Sequence, residues 1–202
     1  PAFSRNRLIY LSYAEPEGSK ASTAVARAEL IDGRLEKLQV IFRQLPKTEG
    51  AVHFGSRLVF APDGNLFITL GDRGDYLEEA QRLSNYFGKV IRIRSDGSVP
   101  SDNPFVNNSQ AKPEIWSYGH RSVQGAAIHP KTGELWIHEH GPKGGDEINI
   151  PQPGLLKGLE PMKDTDIRFV GYPDCQQSQI WLPYPGNEYE RPPLVCIPTE
   201  ET

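Results

Sequence analysis

The chain has 202 residues, of which 37% are hydrophobic, and its 22 Lys and Arg against 26 Asp and Glu give a formal net charge of −4 at pH 7. This length suffices for one domain with its own core, and no apolar run is long enough to cross a membrane. Residues 1–150 are electrically neutral and the acidic excess falls in residues 151–202, so the chain has no basic footprint for nucleic acid.

A repeated pattern divides the first part of the chain. Three stretches each contain a Pro, a polar turn and a Leu that begins an alternating strand: PAFSRNRLIYLSY (1–13), APDGNLFITLGDRG (61–74) and HPKTGELWIHEHGP (129–142). Their leucines are 58 and 69 residues apart. A β-unit that recurs at such intervals favours a β-propeller with inserted loops over a β-sandwich.

The other elements follow in chain order. Residues 37–45 predict a strand, and residues 56–70 predict a hairpin that turns at Pro-Asp-Gly. Residues 76–88 have apolar side chains at helical spacing and end in Gly, so we expect a helix there. Residues 89–100 and 113–119 again predict strands. The fold class is therefore all-β with one helical insertion.

The strand pattern ends at residue 150. We expect a partial propeller over residues 1–150 and a divergent, irregular tail over residues 151–202, which holds nine of the 18 prolines. Both cysteines, Cys175 and Cys196, lie in this tail, and a disulfide between them stays an open question. Because the chain starts at Pro1, close to strand-like sequence, we expect the natural N-terminus to be missing, and the lack of a signal peptide carries no weight.

Polar residues collect at the ends of the repeat strands and just before them. The stretches are HFGSRL (53–58), GDRG (71–74), SYGHRSVQG (117–125) and HEHGPKGGDE (138–147). Loops at the mouth of a β-barrel or propeller channel commonly form the binding site, so we expect these stretches to meet. Their candidate functional residues are His53, Asp72, Arg73, His120, Arg121, His138, His140 and Asp146.

Four segments around these residues resemble a known family. They read HFGSRLVFAPDGNLFITLGDRG, LSNYFGKVIRIRSDGSVPSDNPF, EIWSYGHRSVQG and GELWIHEHGPKGGDEIN. Over residues 1–150 the chain resembles the soluble aldose sugar dehydrogenases of the glucose/sorbosone type that depend on pyrroloquinoline quinone (PQQ). The resemblance implies a six-bladed β-propeller, of which this chain would hold about three blades, with PQQ and Ca²⁺ at the mouth of the channel.

The same resemblance implies the chemistry. His53 resembles the general base that takes the proton of the sugar C1 hydroxyl while a hydride passes to PQQ and the lactone forms. Asp72 resembles the residue that holds the imidazole tautomer. An imidazole titrates close to neutral pH and suits this task. A structural His in a turn flanked by Gly is the alternative at position 53, and the surrounding motif favours the base.

Arg121, Ser122 and His140 are the predicted cofactor contacts. Arg121 resembles the arginine that contacts the quinone, and a planar guanidinium suits a group with three carboxylates. The family usually has Asn where this chain has Ser122, which puts one cofactor contact in doubt.

The predicted metal loop is GPKGGDEINI, residues 141–150. By resemblance, the carbonyls of Gly141 and Pro142 bind the Ca²⁺, which acts as a Lewis acid on the quinone, and Asp146 supports the loop. A solvated acidic turn is an equal alternative for Glu147.

The resemblance also implies a sugar substrate, an external electron acceptor and a periplasmic or extracellular location. The family's domain is longer than this chain, and the half that supplies further Lys and Arg residues to the cofactor has no match here. We therefore expect three blades to be marginally stable or to self-associate through open blade edges, and a truncated, inactive fragment is one expectation.

Three other interpretations stay open. The chain could be a non-catalytic extracellular propeller that binds a protein or a glycan, which Ser122 and the unmatched half mildly favour. It could be a Ca²⁺-dependent lactonase propeller, although that requires a cluster of acidic and Asn ligands that the sequence does not show. His138 and His140, two apart on a strand, could hold a transition metal, although no further ligand cluster accompanies them.

Overall fold

The structure is a computed structural model that describes residues 3–141 and 146–155. These residues lie in one compact unit, Pro1–Glu160, and form three antiparallel sheets preceded by the short helix α1 (Phe3–Asn6). No helix in this described part has the length and apolar character needed to span a membrane. Cys175, Cys196 and all of the predicted tail beyond residue 155 lie outside the described residues.

The first sheet contains β1 (Leu8–Glu17), β2 (Lys20–Ile31) and β3 (Arg34–Arg43), in that order. Asp32 and Gly33 connect β2 to β3 with φ values of 48° and 76°. Two positive φ values are typical of the two-residue hairpin turn that Asp-Gly favours. The strand β2 was not predicted from the sequence, although this Asp-Gly pair marks its end.

The second sheet contains β4 (Gly55–Phe60), β5 (Leu66–Leu70), β6 (Lys89–Ile93) and β7 (Ile115–Tyr118), in that order. The strands β4 and β5 confirm the predicted hairpin. In its turn the Asp63 carboxylate accepts the N–H of Asn65 at 2.9 Å, and Gly64 has a φ of 83°. Every residue of β5 and β6 is buried, so this sheet lies between two layers.

The third sheet contains β8 (Val123–Ile128), β9 (Leu135–Glu139) and β10 (Glu147–Asn149), with β9 in the middle. The strand β4 lies against both β1 and β8, so the first strands of the three sheets are neighbours. Successive blades of a propeller are arranged in this way around their channel.

Alternation along the strands explains how the second sheet packs on both sides. Successive side chains point to opposite faces of a sheet. Ile68 accordingly packs with Val25 in the cluster shared with the first sheet, and its neighbour Phe67 packs with Leu135 in the cluster shared with the third.

The helix predicted over residues 76–88 is wrong. The structure has only a 3₁₀ turn, Leu77–Gln81, and Leu77 is 58% exposed, so the apolar spacing does not form a buried stripe. The side chain of Asn85 accepts the N–H of Phe87 at 3.0 Å, a local bond that competes with helix formation. Gly88 then takes a φ of 59°, which ends any helical path.

The first copy of the sequence repeat is misplaced. The second and third copies correspond to β5 and β9, each the second strand of its sheet, but the copy at residues 1–13 corresponds to β1, a first strand. The equivalent second strand is β2. A polar turn followed by an alternating strand fits any half-buried strand, so the pattern does not distinguish positions within a sheet.

We expect Leu66→Ala to lower the free energy of unfolding by about 2–5 kcal/mol, because its side chain is fully buried, at 0% exposed, in the core between two sheets. Leu38→Ala makes the same change on β3 at a side chain that is 58% exposed, and should cost about 0.5 kcal/mol or less. Urea denaturation of both variants measures the difference. Equal losses would contradict this placement of the core.

Candidate functional site

The strand ends that carry the predicted site residues lie at one end of the sheets. Because neighbouring strands are antiparallel, each strand begins where its partner ends. Gly55 at the start of β4 pairs with Leu70 at the end of β5, and Val123 at the start of β8 pairs with Glu139 at the end of β9. The polar stretches next to these ends therefore come together.

His53 and Asp72 form a short hydrogen bond. The distance from Nδ1 of His53 to Oδ1 of Asp72 is 2.6 Å, and the two side chains are 19% and 1% exposed. The same oxygen of Asp72 accepts the main-chain N–H of Gly74 at 2.9 Å. An ionised carboxylate only accepts hydrogen bonds. We therefore assign the proton of the imidazole to Nδ1, which leaves Nε2 as the basic nitrogen.

The main chain beside this pair requires glycine. His53 has a φ of 52°, which is uncommon for a residue with a side chain. A Cβ at Gly71 would lie 2.0 Å from the carbonyl oxygen of His53. Only glycine allows the two segments to pass at this distance, and the residue that follows Gly71 is Asp72. The close approach thus places the carboxylate within reach of the ring.

Arg121 connects this pair to the third sheet. Its carbonyl accepts the N–H of Asp72 at 2.9 Å, and its Nη1 donates to the carbonyls of His140 and Gly141, both at 3.1 Å. An unbroken path of hydrogen bonds therefore runs from His53 to Gly141. The structure brings together the predicted base, the predicted cofactor arginine and one predicted metal ligand.

Ser122 is buried beside Arg121, with 2% of its surface exposed. Its hydroxyl accepts a hydrogen bond from Nε2 of Gln124 at 2.9 Å, and its carbonyl accepts the N–H of His140 at 3.2 Å. The main chain of Ser122 thus fixes the residue that follows β9, while its hydroxyl is held by a neighbour two positions away.

Asp146 braces the predicted metal loop. Its Oδ1 accepts the N–H of Gly141 and its Oδ2 contacts Nδ1 of His140, both at 3.0 Å. Burial on its own would raise the pKa of Asp146, but the hydrogen bonds with His140 and Gly141 outweigh it and the pKa is lowered. Pro142 lies outside the described residues. Within residues 3–141 and 146–155, no three His, Cys, Asp or Glu side chains form a metal-binding cluster.

The two histidines on either side of Glu139 have different neighbours. Nε2 of His138 lies over Gly125, where a Cβ would come within 2.0 Å of it. The ring of His140 instead faces Asp146. The structure therefore gives no support to a transition-metal pair at these positions.

Arg73 is a structural member of the candidate set. Its guanidinium lies 3.4 Å from the centre of the Phe54 ring and donates to the carbonyls of Gly50, at 2.6 Å, and Val52. Burial lowers its pKa. Arg73 thus ties the segment before His53 to the end of β5.

Lys89 was not predicted as part of the site's support. It is fully buried at the start of β6, and its ammonium donates to the carbonyls of Glu79, Ala80 and Phe87 at 3.2, 2.8 and 2.6 Å. The next-door Gly88 N–H donates to the carbonyl of Gly71 at 3.1 Å. Burial lowers the pKa of Lys89 to about 7.

Glu139 was also missed. It occupies the buried face of β9 after Leu135 and Ile137, and it is 1% exposed. An acid that continues the apolar face of a strand is a signal readable in the sequence, since such residues are rarely buried without a partner.

The low pKa of Lys89 makes stability depend on pH. The folded pKa is about 7 and that of an unfolded Lys is about 10.4, so between these values the unfolded chain binds more protons. The free energy of unfolding should therefore rise with pH across this window, by up to about 1.4 kcal/mol per pH unit. Lys89→Met should remove the rise, whereas Lys131→Met, at an exposed position, should keep it. Urea denaturation from about pH 7 to about pH 10 measures the slopes, and a Lys89→Met slope equal to that of wild type would refute the assignment.

Comparison with known proteins gives two sequence matches. The sequence model of the glucose/sorbosone dehydrogenase family matches residues 1–166. The aldose sugar dehydrogenase YliI of Escherichia coli (strain K12) is 45% identical over 175 residues, which cover 85% of this chain and 47% of that protein. The chain thus spans about half the length of this curated relative.

Solved structures agree with the sequence match. A glucose dehydrogenase is 50% identical with a TM-score of 0.76, over 79% of this chain and 50% of that one. The PQQ-bound form of an aldose sugar dehydrogenase from Streptomyces coelicolor is 28% identical with a TM-score of 0.66, over 81% of this chain and 46% of that one. These matches and the three stacked sheets confirm the expected all-β fold of the propeller family, represented here by about three blades.

Proposed function

Because the chain belongs to the glucose/sorbosone dehydrogenase family, we propose that it carries the proton-abstracting side of a quinoprotein site that oxidises the C1 hydroxyl of aldose sugars to lactones. Its relatives are aldose sugar and glucose dehydrogenases. The observation that carries the proposal is the hydrogen bond of 2.6 Å between His53 and the buried Asp72.

The geometry of this pair suits a general base. With Nδ1 donating to Asp72, Nε2 of His53 takes the proton of the sugar hydroxyl as the hydride leaves the same carbon. The imidazolium that results is stabilised by the carboxylate of Asp72, which is almost completely shielded from water at 1% exposure. The ring stays partly exposed, at 19%, so a substrate can reach it.

The residues around Arg121 fit a polycarboxylate quinone. Nη1 of Arg121 is used by two main-chain carbonyls, and the described residues offer no acceptor to its Nε or Nη2. The half-buried guanidinium therefore has an edge with which to bind a carboxylate. His140, whose side chain is 59% exposed, is the second proposed contact. Ser122 is the weakest of the three predicted contacts, because it is buried and its hydroxyl already accepts from Gln124. When bound, PQQ would accept the hydride, which carries both electrons removed from the sugar.

The loop at Gly141 fits part of a Ca²⁺ site. Ca²⁺ takes oxygen ligands, and a carbonyl oxygen has two lone pairs, of which Arg121 uses one at Gly141. Asp146 orients this peptide by binding its N–H. We propose the carbonyls of Gly141 and Pro142 as protein ligands, and a Ca²⁺ bound there would polarise the quinone. The proposal also includes an external electron acceptor and a periplasmic or extracellular location, which the family resemblance implies.

Dye reduction tests the catalytic proposal. The full chain with PQQ, Ca²⁺ and glucose should reduce an artificial electron acceptor, and His53→Gln should lower kcat by about 10²–10⁴-fold because the general base is lost. His129→Gln is the matched control, since this histidine lies in the β8–β9 turn and contacts Thr132.

The outcomes separate the two classes of function. Loss of activity in the His53 variant alone supports the base. A wild-type chain that binds PQQ but reduces no dye would favour the non-catalytic propeller. Equal losses in the two histidine variants would contradict the assignment of His53.

Calcium titration tests the metal loop. Asp146→Asn should weaken Ca²⁺ binding about 10-fold or more, since outer-shell partners that orient metal ligands commonly contribute that much. Asp96→Asn changes an exposed carboxylate that bonds Ser98 in a distant turn, and it should leave the affinity unchanged. Isothermal titration calorimetry in the presence of PQQ gives both constants, and an unaltered constant for Asp146→Asn would remove Asp146 from the site.

A further inference from the structure

A hydrogen-bonded network of buried polar side chains lies beside Arg121. Nε2 of His120 is 2.8 Å from Oγ of Ser117, and its Nδ1 is 3.0 Å from Oε1 of Glu139. The three residues are 2%, 2% and 1% exposed, with Glu139 the most buried. A Ser, a His and an acid in this order also occur in hydrolases, but a substrate cannot reach a serine that is this buried. This hydrogen-bonded network is therefore a structural support and not a second active centre.

Glu139 connects this network to the candidate site. Its Oε2 accepts the main-chain N–H of Arg121 at 2.7 Å, and its Oε1 accepts Nδ2 of Asn149 at 3.0 Å in addition to Nδ1 of His120. A buried carboxylate is stable only when donors replace its water shell. These donors come from the loop before β8 and from β10, so one carboxylate fixes both segments to the end of β9.

Three consecutive residues consequently hold Arg121 at both ends. The carboxylate of Glu139 binds its main-chain N–H, and the carbonyls of His140 and Gly141 bind its guanidinium. The carbonyl of Arg121 in turn accepts the N–H of Asp72. A change at Glu139 would move the main chain from which the guanidinium extends.

We propose that Glu139 is a positioning residue of the site: its carboxyl group, oriented by His120 and Ser117, holds the main chain of Arg121 so that the guanidinium faces the cofactor. The link to the cofactor rests on the proposed function, whereas the link from Glu139 to Arg121 does not. The two links are tested separately.

Hydrogen exchange of the full chain without cofactor tests the first link. In Glu139→Gln one carboxylate oxygen becomes an NH₂ donor, so the side chain can no longer accept from both His120 and Arg121. We expect the Arg121 amide to exchange about tenfold faster or more, because the carboxyl group that accepts its hydrogen bond is replaced by a weaker amide acceptor. Glu134→Gln, the same change at an exposed position directly before β9, should leave the exchange rate of the Arg121 amide unchanged. Unchanged protection of the Arg121 amide in a cooperatively folded Glu139→Gln variant would overturn the proposal.

A double-mutant cycle tests the second link. We expect Glu139→Gln to weaken PQQ binding, measured by equilibrium dialysis, about tenfold in the wild-type background and not at all in an Arg121→Ala background, because residues that act through one another are not additive. An equal loss in both backgrounds would mean that Glu139 acts on general stability, and would overturn the positioning role.

Misfolding of the Glu139 variant and a lack of PQQ binding by the wild-type chain are each provided for. If Glu139→Gln lacks a cooperative melt, Glu139→Asp takes its place in both experiments with the same expected results, since a side chain that is one methylene shorter withdraws the carboxyl group from the Arg121 N–H. If the wild-type chain binds no PQQ, the proposed function fails for this chain, and the exchange experiment alone decides whether Glu139 positions Arg121.

Discussion

The candidate site depends on a buried carboxylate that accepts hydrogen bonds from two neighbouring residues. Asp72 is 1% exposed, and a carboxylate in such a place is stable only when donors replace water. The imidazole of His53 and the N–H of Gly74 are those donors, and the N–H of Asp72 itself is held by Arg121. The contacts that stabilise the charge also fix the ring tautomer. Folding and proton transfer therefore require the same arrangement.

Two glycines allow the strand ends to come this close. A Cβ at Gly71 would lie 2.0 Å from the carbonyl oxygen of His53, and one at Gly88 would lie 2.1 Å from that of His120. Hydrogen bonds run from the Gly88 N–H to Gly71 and from the His120 N–H to Gly88, at 3.1 and 3.0 Å. Side chains at either position would separate the segments by more than a hydrogen bond spans. The two glycines therefore allow the main-chain segments that carry the site residues to pack against each other at this end of the sheets.

The sequence predicted the residues that meet at the site better than the elements that support them. His53, Asp72, Arg121 and Gly141 lie in long specific motifs, and the structure joins them by hydrogen bonds. The functional roles given to them stay predictions. Their supports were missed for a physical reason: charged residues are exposed in most proteins, and only tertiary contacts show that Lys89 is buried with its hydrogen bonds satisfied.

The wrongly predicted helix has a related cause. Apolar residues three and four apart favour a helix only when one face can be buried. Here Leu77 faces solvent, while Tyr86 is buried in the core cluster shared with the first sheet, where its ring packs edge-on against Phe42 of β3. Tertiary packing therefore outweighs the local sequence pattern, and the segment before β6 is a loop instead of a helix. That loop supplies Gly88 and the carbonyls that receive Lys89.

The parts of the site rest on supports that are unequally packed. His53 and Asp72 lie at the end of the second sheet, whose inner strands β5 and β6 are wholly buried between two neighbours. The proposed cofactor and metal contacts lie at the end of the third sheet, where β10 has three residues and the side chain of His140 is 59% exposed. Glu139 bridges this difference, because it holds Arg121, whose carbonyl binds Asp72. Arg121 is therefore held by residues of both sheets, by Asp72 after β5 and by Glu139 at the end of β9.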